Sequence, residues 1–289
     1  MKLSHIKFEA PRSITPLLSD FLLGLGSNGV AEDISGEDSF EISAYFPMDA
    51  DLADIIHSLK EYVTILGETF VDAGIGPLTA EHIDRSHWEV WKSLLKTVMS
   101  GRKDIIRPPW EEYTPDKQEV VIEINPSMAF GTGHHETTRL CIAAIEQARS
   151  SGNIGSMLDV GCGSGILSIT AAKMGIARIV GLDTDPVAIG ESLKNARVNG
   201  VSDKILFFCG YVQSAKGRYD LIVANVYIAP ILLMREELRS RLNEKGRLVI
   251  SGIPHIRAKE AVDGLQNGGL VLTEEKREGD WMSFTFKTG

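Results

Sequence analysis

Between residues 154 and 251 short apolar runs alternate with stretches of helical period, and that alternation predicts a parallel sheet flanked by helices. Residues 154–158 read as a strand and 166–174 as a helix. A second strand follows at 179–182, then a helix from Pro186 to about residue 198, with Asn199 and Gly200 as its stop. Residues 205–209 and 221–224 are the third and fourth strands, the latter wholly apolar as a strand covered on both faces must be. A helix over about 229–242, a fifth strand over 246–251, a helix beginning near Ile256 and an antiparallel pair at 270–275 and 281–287 complete a doubly wound α/β sheet. Sheets of this kind bind ligands at the carboxyl ends of their strands.

The N-terminal third has a different rhythm. Residues 4–9 read as a strand, 13–25 as a helix opened by Ser13, 24–29 as a glycine-rich turn, 40–46 as an alternating half-buried strand and 50–59 as a helix. Strand, helix, two strands, helix predicts a small α+β, ferredoxin-like module over residues 1–70. Residues 71–115 read as a linker, with an amphipathic helix over 88–99 and an extended stretch at 101–109 that ends in Pro108 and Pro109. The second domain is expected to span 116–289.

Chemistry concentrates at the first strand-to-helix turn of that second domain. Asp159-Val160-Gly161-Cys162-Gly163-Ser164-Gly165 leads into the helix, and an acid, Asp183, ends the next strand. Glycines let a ligand approach the main chain, and a helix N-terminus offers N–H groups to it. The spacing is G-x-G-x-G, with Ile166 where a dinucleotide fold needs its third glycine. Asp183 is placed to accept hydrogen bonds from both hydroxyls of a ribose. This acid-x-Gly-x-Gly-x-Gly turn with a diol-binding carboxylate resembles that of class I methyltransferases, which bind S-adenosylmethionine. Asn225, followed by Val226 and Tyr227, stands at the tip of the fourth strand. Asparagine often merely ends a strand. At this place in a methyltransferase sheet, its carboxamide oxygen is suited to accept an N–H and aim a substrate amine.

Upstream lies Asn125-Pro126-Ser127-Met128-Ala129-Phe130-Gly131-Thr132-Gly133-His134-His135-Glu136-Thr137-Thr138. An Ala-Phe-Gly-Thr-Gly segment, a His-x-Thr-Thr entry to a helix, the Asp-x-Gly-x-Gly-Ser-Gly turn and an Asn-hydrophobic pair, in that order over about 120–289, resemble the bacterial ribosomal protein L11 methyltransferase (PrmA) family. The resemblance implies that Thr138, Gly161, Gly163, Asp183 and Asn225 contact S-adenosylmethionine, that Phe130 and Thr132 belong to a loop closing over its methionine end, and that Asn225 is the catalytic residue. It implies methyl transfer to lysine side chains or the N-terminal amine of a basic ribosomal protein, which the N-terminal module recognises. Val226-Tyr227 replaces the Pro-Pro-aromatic sequence of many other nitrogen methyltransferases, which argues against a nucleobase pocket. Two rival readings are an enzyme for lysines of another protein and a non-catalytic S-adenosylmethionine-binding factor for ribosome assembly. Asp183 and Asn225 argue against the second.

Charge adds one distinction. Residues 1–95 hold 6 Lys and Arg against 16 Asp and Glu, whereas the remainder holds 24 against 23. An acidic module repels phosphate backbones and attracts a cationic partner, so a basic protein is expected and nucleic acid is not. His134 and His135 are adjacent and lack the i, i+4 spacing of a helical metal pair, so no metal is expected. One of them is expected to shape the loop over the cofactor and the other to be solvated. Cys141, Cys162 and Cys209 form no C-x-x-C and read as small, buried or half-buried residues of a reduced compartment. The N-terminus carries no 18-residue apolar run or cleavage signal, which places the expectation in the cytoplasm, away from membranes.

Overall fold

A computed structural model describes the chain except for residues 1–2, 28, 37, 68–69, 71–72, 84–95, 102, 126–132 and 153. It divides into two units, Met1–Leu94 and Leu95–Gly289. The first unit contains β1 (Leu3–Pro11), α1 (Thr15–Gly24), β2 (Gly29–Ile34), β3 (Ser39–Pro47), α2 (Leu52–Leu66) and β4 (Thr79–Ile83). Its antiparallel sheet runs in the order β2-β3-β1-β4, which is the ferredoxin-like arrangement. Period two sends Ile6, Phe8 and Ala10 of β1 and Ile42, Ala44 and Phe46 of β3 into one core with Leu18, Leu22, Ile55 and Leu59 of the helices. Asp51 caps α2 by accepting from Ala53 N and Asp54 N at 3.0 and 3.2 Å. Helix α1 begins two residues later than Ser13 and has no side-chain cap, Pro16 supplying its preset first turn instead. The boundary near residue 70 is corrected: β4 lies beyond it and pairs with β1 from Lys7 opposite Thr79 to Leu3 opposite Ile83.

The second unit opens with a small sheet, β5 (Val98–Met99), β6 (Asp104–Arg107) and β7 (Val120–Glu123), in which β6 pairs antiparallel with β5 and parallel with β7. Residues 88–95 of the helix expected over 88–99 lie outside the described residues, and Val98 and Met99 form strand. The stretch at 101–109 is not a linker, because Ile105 and Ile106 are buried and Ile106 shares a core with Ile122, Ile142 and Ile145.

Then follow α3 (Glu136–Ser151), β8 (Ser156–Val160), α4 (Ile166–Lys173), β9 (Arg178–Asp183), α5 (Pro186–Val198), β10 (Ile205–Cys209), β11 (Tyr219–Asn225), α6 (Ile228–Leu233), α7 (Arg235–Ser240), β12 (Leu242–Pro254), α8 (Ala258–Gln266), β13 (Leu270–Glu278) and β14 (Trp281–Thr288). The strand order is β10-β9-β8-β11-β12-β14-β13, parallel through β12 and antiparallel beyond it. Met157, Leu221 and Val223 face the core under α3, α4 and α5, while Leu158, Ile222 and Ala224 face the one under α6, α7 and α8. The single helix expected over 229–242 is two helices, interrupted at Met234 where φ and ψ are −100° and 13°. Leu242 has already joined β12, opposite Tyr219. Strand order reverses between β8, which continues to β9 on one side, and β11 on the other. The crevice at their carboxyl ends is therefore the ligand position of such a sheet.

Candidate functional site

On one lip of that crevice the glycine-rich turn is tied down to its neighbour strand. Gly161 N and Cys162 N both donate to Leu182 O at 2.9 Å, and Gly163 N donates to Asp183 Oδ2 at 3.0 Å. These N–H groups hold the turn in shape. Gly161 has φ +72°, and a Cβ there would overlap Val226 Cγ1. Any larger residue would push the turn away from the tip of β11. Asp183 accepts a second bond at its other oxygen from Asp185 N at 3.0 Å. A carboxylate has about four lone-pair positions, so two acceptors remain for a diol.

Asp159 sits beneath the turn. The alternation that turns Met157 toward α4 turns Asp159 the same way, fully buried. Its Oδ2 accepts from Ser168 N at 3.1 Å and Ser168 Oγ at 2.7 Å, so a strand carboxyl serves the third residue of α4 as a cap. Burial pushes its pKa up to about 7 even though both Ser168 bonds pull the other way. Burial likewise raises the Cys141 and Cys162 thiols, so Cys162 is no thiolate nucleophile within the turn. Cys209 is exposed, contrary to its expected burial.

On the opposite lip, Asn225 ends β11 on the α3 side of the sheet, and its Nδ2 donates to Thr137 Oγ1 at 3.2 Å, across 88 residues of sequence. The N-cap of α3 is His135, whose Nδ1 accepts from Thr137 N at 3.3 Å. Thr138 is already the third residue of the helix. Its hydroxyl is buried and has no partner among the described residues, an unused donor one residue on from the Thr137 that meets Asn225. His134 Nε2 lies 2.7 Å from Lys96 O, and Arg139 binds both His134 O and Glu278, the latter at 2.6 Å. Among the described residues no cluster of three or more His, Cys, Asp or Glu is arranged for a metal. Phe130 and Thr132 lie outside the described residues.

Two further residues make contacts that the sequence reading did not foresee. Asn195 on α5 donates to Ser164 O at 2.9 Å and accepts from Asn125 N at 3.2 Å, joining the glycine turn to the segment that follows β7. Asn199, one helical turn on, makes a two-way bond with the backbone of Glu123 at 3.0 and 2.7 Å. The available signal was their i, i+4 spacing on a helix face shared with buried Ser192 and Ala196.

The arrangement fits S-adenosylmethionine: a strand-end acid, Asp183, with acceptors to spare, a side-chain-free elbow at Gly161, and a buried hydroxyl at Thr138 without a partner among the described residues. The profile described as "Ribosomal protein L11 methyltransferase (PrmA)" matches residues 19–289. A ribosomal protein L11 methyltransferase of Geobacter metallireducens is 33% identical over 99% of this chain and 98% of its own length. One from Exiguobacterium sp. is 35% identical over the whole of both chains. The crystal structure of a ribosomal protein L11 methylase from Lactobacillus delbrueckii subsp. bulgaricus superposes with a TM-score of 0.63 at 30% identity, covering 67% of this chain and 98% of that one. Fold, site and extended sequence likeness agree, and the chain belongs to the ribosomal protein L11 methyltransferase (PrmA) family of S-adenosylmethionine-dependent protein methyltransferases.

Proposed function

We propose that the enzyme methylates amino groups of ribosomal protein L11, at lysine side chains or the N-terminal amine, in the cytoplasm. The observation that carries this reading is the place of Asn225, at the carboxyl end of β11 beside Val226, which the Gly161 turn abuts, with its amide already held by Thr137. When bound, S-adenosylmethionine supplies an electrophilic methyl group on a positively charged sulfur. Asp183 takes the ribose hydroxyls, Gly161 and Gly163 keep the turn clear of the ligand, and the Thr138 hydroxyl meets the methionine carboxylate. Asn225 accepts an N–H of the neutral amine and holds its lone pair in line.

A lysine with a pKa of about 10.4 must first lose a proton, at a cost of about 4 to 5 kcal/mol at pH 7. Partial desolvation and a nearby positive charge both lower that cost. No carboxylate or histidine is assigned as base, and the proton leaves to water before attack. The N-terminal unit, with its excess of ten acidic over basic residues in 1–95, is the docking module for the basic substrate. Intact-mass measurement of purified ribosomal protein L11 after incubation with enzyme and S-adenosylmethionine is expected to show steps of one methyl unit. An unchanged mass, with methyl label appearing in another protein of the lysate, would overturn the substrate assignment.

A further inference from the structure

The polarity of the Asn225 amide is dictated from outside the crevice. An asparagine oxygen and nitrogen have nearly the same shape, and only their neighbours decide which end points where. Here the deciding group is a backbone N–H, which can donate and nothing else. Thr137 N donates to His135 Nδ1 at 3.3 Å, so that ring nitrogen carries the lone pair and the neutral imidazole keeps its proton on Nε2. Thr137 Oγ1 lies 2.9 Å from the same Nδ1 and, facing a lone pair, must give it the hydroxyl proton. That leaves Thr137 Oγ1 with lone pairs alone toward its third neighbour, Asn225, 3.2 Å away. Only the amide nitrogen can satisfy it. The amide oxygen is consequently directed away from α3, to the side of Gly252, where even a Cβ would come to 3.4 Å from Oδ1.

We infer that His135 and Thr137 are positioning residues, which fix the Asn225 amide with its oxygen toward the substrate amine. This rests on the proposed role of Asn225. Its chemical consequence is definite. An oxygen accepts an amine N–H and leaves the nitrogen lone pair free for the methyl group, whereas a reversed amide would donate to that lone pair and occupy the electrons needed for attack. The surroundings keep the histidine in the required state. Its ring is half-buried and forms a T-shaped pair with Trp281 at a centroid distance of 5.0 Å. Burial lowers its pKa, Arg139 acts in the same sense, and Glu136 and Glu278 oppose it without reversing it.

The test compares Thr137→Val, which keeps the branched shape and removes the hydroxyl, with Thr137→Ser, which keeps the hydroxyl. Thr137→Val is expected to lower kcat about 10-fold or more, with KM for S-adenosylmethionine and for ribosomal protein L11 within about 3-fold, since misorientation penalises the reaction rather than binding. Thr137→Ser should restore most of the rate. His135→Phe should fall by a similar factor, and the double variant Thr137→Val with His135→Phe should fall no further than either alone, as members of one relay do. Equal rates for Thr137→Val and wild type overturn the inference. So does a Thr137→Val loss confined to cofactor KM, which would mark a purely structural helix cap. Asn225→Ala separates the two levels: if its kcat is undiminished, the role of Asn225 and this inference both fall. If it is depressed while Thr137→Val is not, this inference falls alone.

Discussion

The two lips of the crevice are built by different means. The lip formed by β8 and β9 is made of main chain and one strand-end carboxylate, all within 25 residues: Gly161, Cys162 and Gly163 bonded to Leu182 and Asp183. The lip formed by β11 and α3 is a relay of side chains, His135 to Thr137 to Asn225, that exists only because a helix and a strand tip 88 residues apart meet. A backbone scaffold holds a bulky ligand in a set place at little entropic cost. A relay of polar side chains fixes the direction of one small group. Under the proposed function the first is the binding lip, through Asp183, and the second, which adds a cofactor contact at Thr138, is the orienting one, so substitutions of Asp183 and Asn225 should separate affinity from turnover.

Asn225→Ala should produce the largest effect. Its kcat is expected to fall about 100-fold or more, because losing near-attack orientation is penalised on that scale, with cofactor Kd changed by less than about 5-fold. A matching loss in Kd by titration calorimetry would assign Asn225 to binding and dissolve the contrast. Asp183→Ala should do the reverse. Losing charge-assisted bonds to the ribose, at about 1.5 to 3 kcal/mol, weakens cofactor binding about 10- to 100-fold, while single-turnover rates at saturating cofactor stay within a few-fold of wild type.

Asp159→Asn sharpens the binding lip through stability. With its folded pKa raised to about 7 against an unfolded value near 4, Asp159 keeps a proton in the folded chain that the unfolded chain has lost. Wild-type stability therefore falls as pH rises between those values. From pH 5 to pH 8 the variant should gain about 2 to 3 kcal/mol relative to wild type in denaturant unfolding. Asp104, also raised to about 7 by burial and its bond with Glu146, is present in both proteins and cancels. A flat difference between the two pH values would show that Asp159 is already ionised. Asn195→Ala has the smallest expected effect, about 1 to 2 kcal/mol of stability from the lost bonds to Ser164 and Asn125, with Asn225-dependent turnover unaltered. A selective loss of kcat would place Asn195 on the orienting lip.

Much of the binding lip was readable in sequence, because a glycine-rich strand-to-helix turn and an acid at the next strand end are local signals with fixed spacing. The helix Pro186–Val198 and the strand Ile205–Cys209 match their expected bounds for the same reason. The elements that escaped have weak local patterns. Strand β4 contains Thr79, Glu81 and His82 among its five residues and is identified by its pairing with β1. Strand β6 has four residues, and only its pairing with β5 and β7 and its burial against α3 distinguish it from a connector. Met234 interrupts a stretch that is helical in period throughout, a change of direction that periodicity does not record.

Hydrophobic periodicity and turn chemistry by themselves determined the layer architecture and the expectation of a ribose-bearing ligand at the first strand-to-helix turn, since each depends on residues within one or two elements. Which end of the Asn225 amide faces the crevice was decided only by tertiary structure. So was the service of Asn195 to the glycine turn, and the assignment of 101–109 to a core rather than a linker. Those properties belong to contacts between distant segments. A hydrogen-bond donor or acceptor acquires its direction from the partner that folding brings to it.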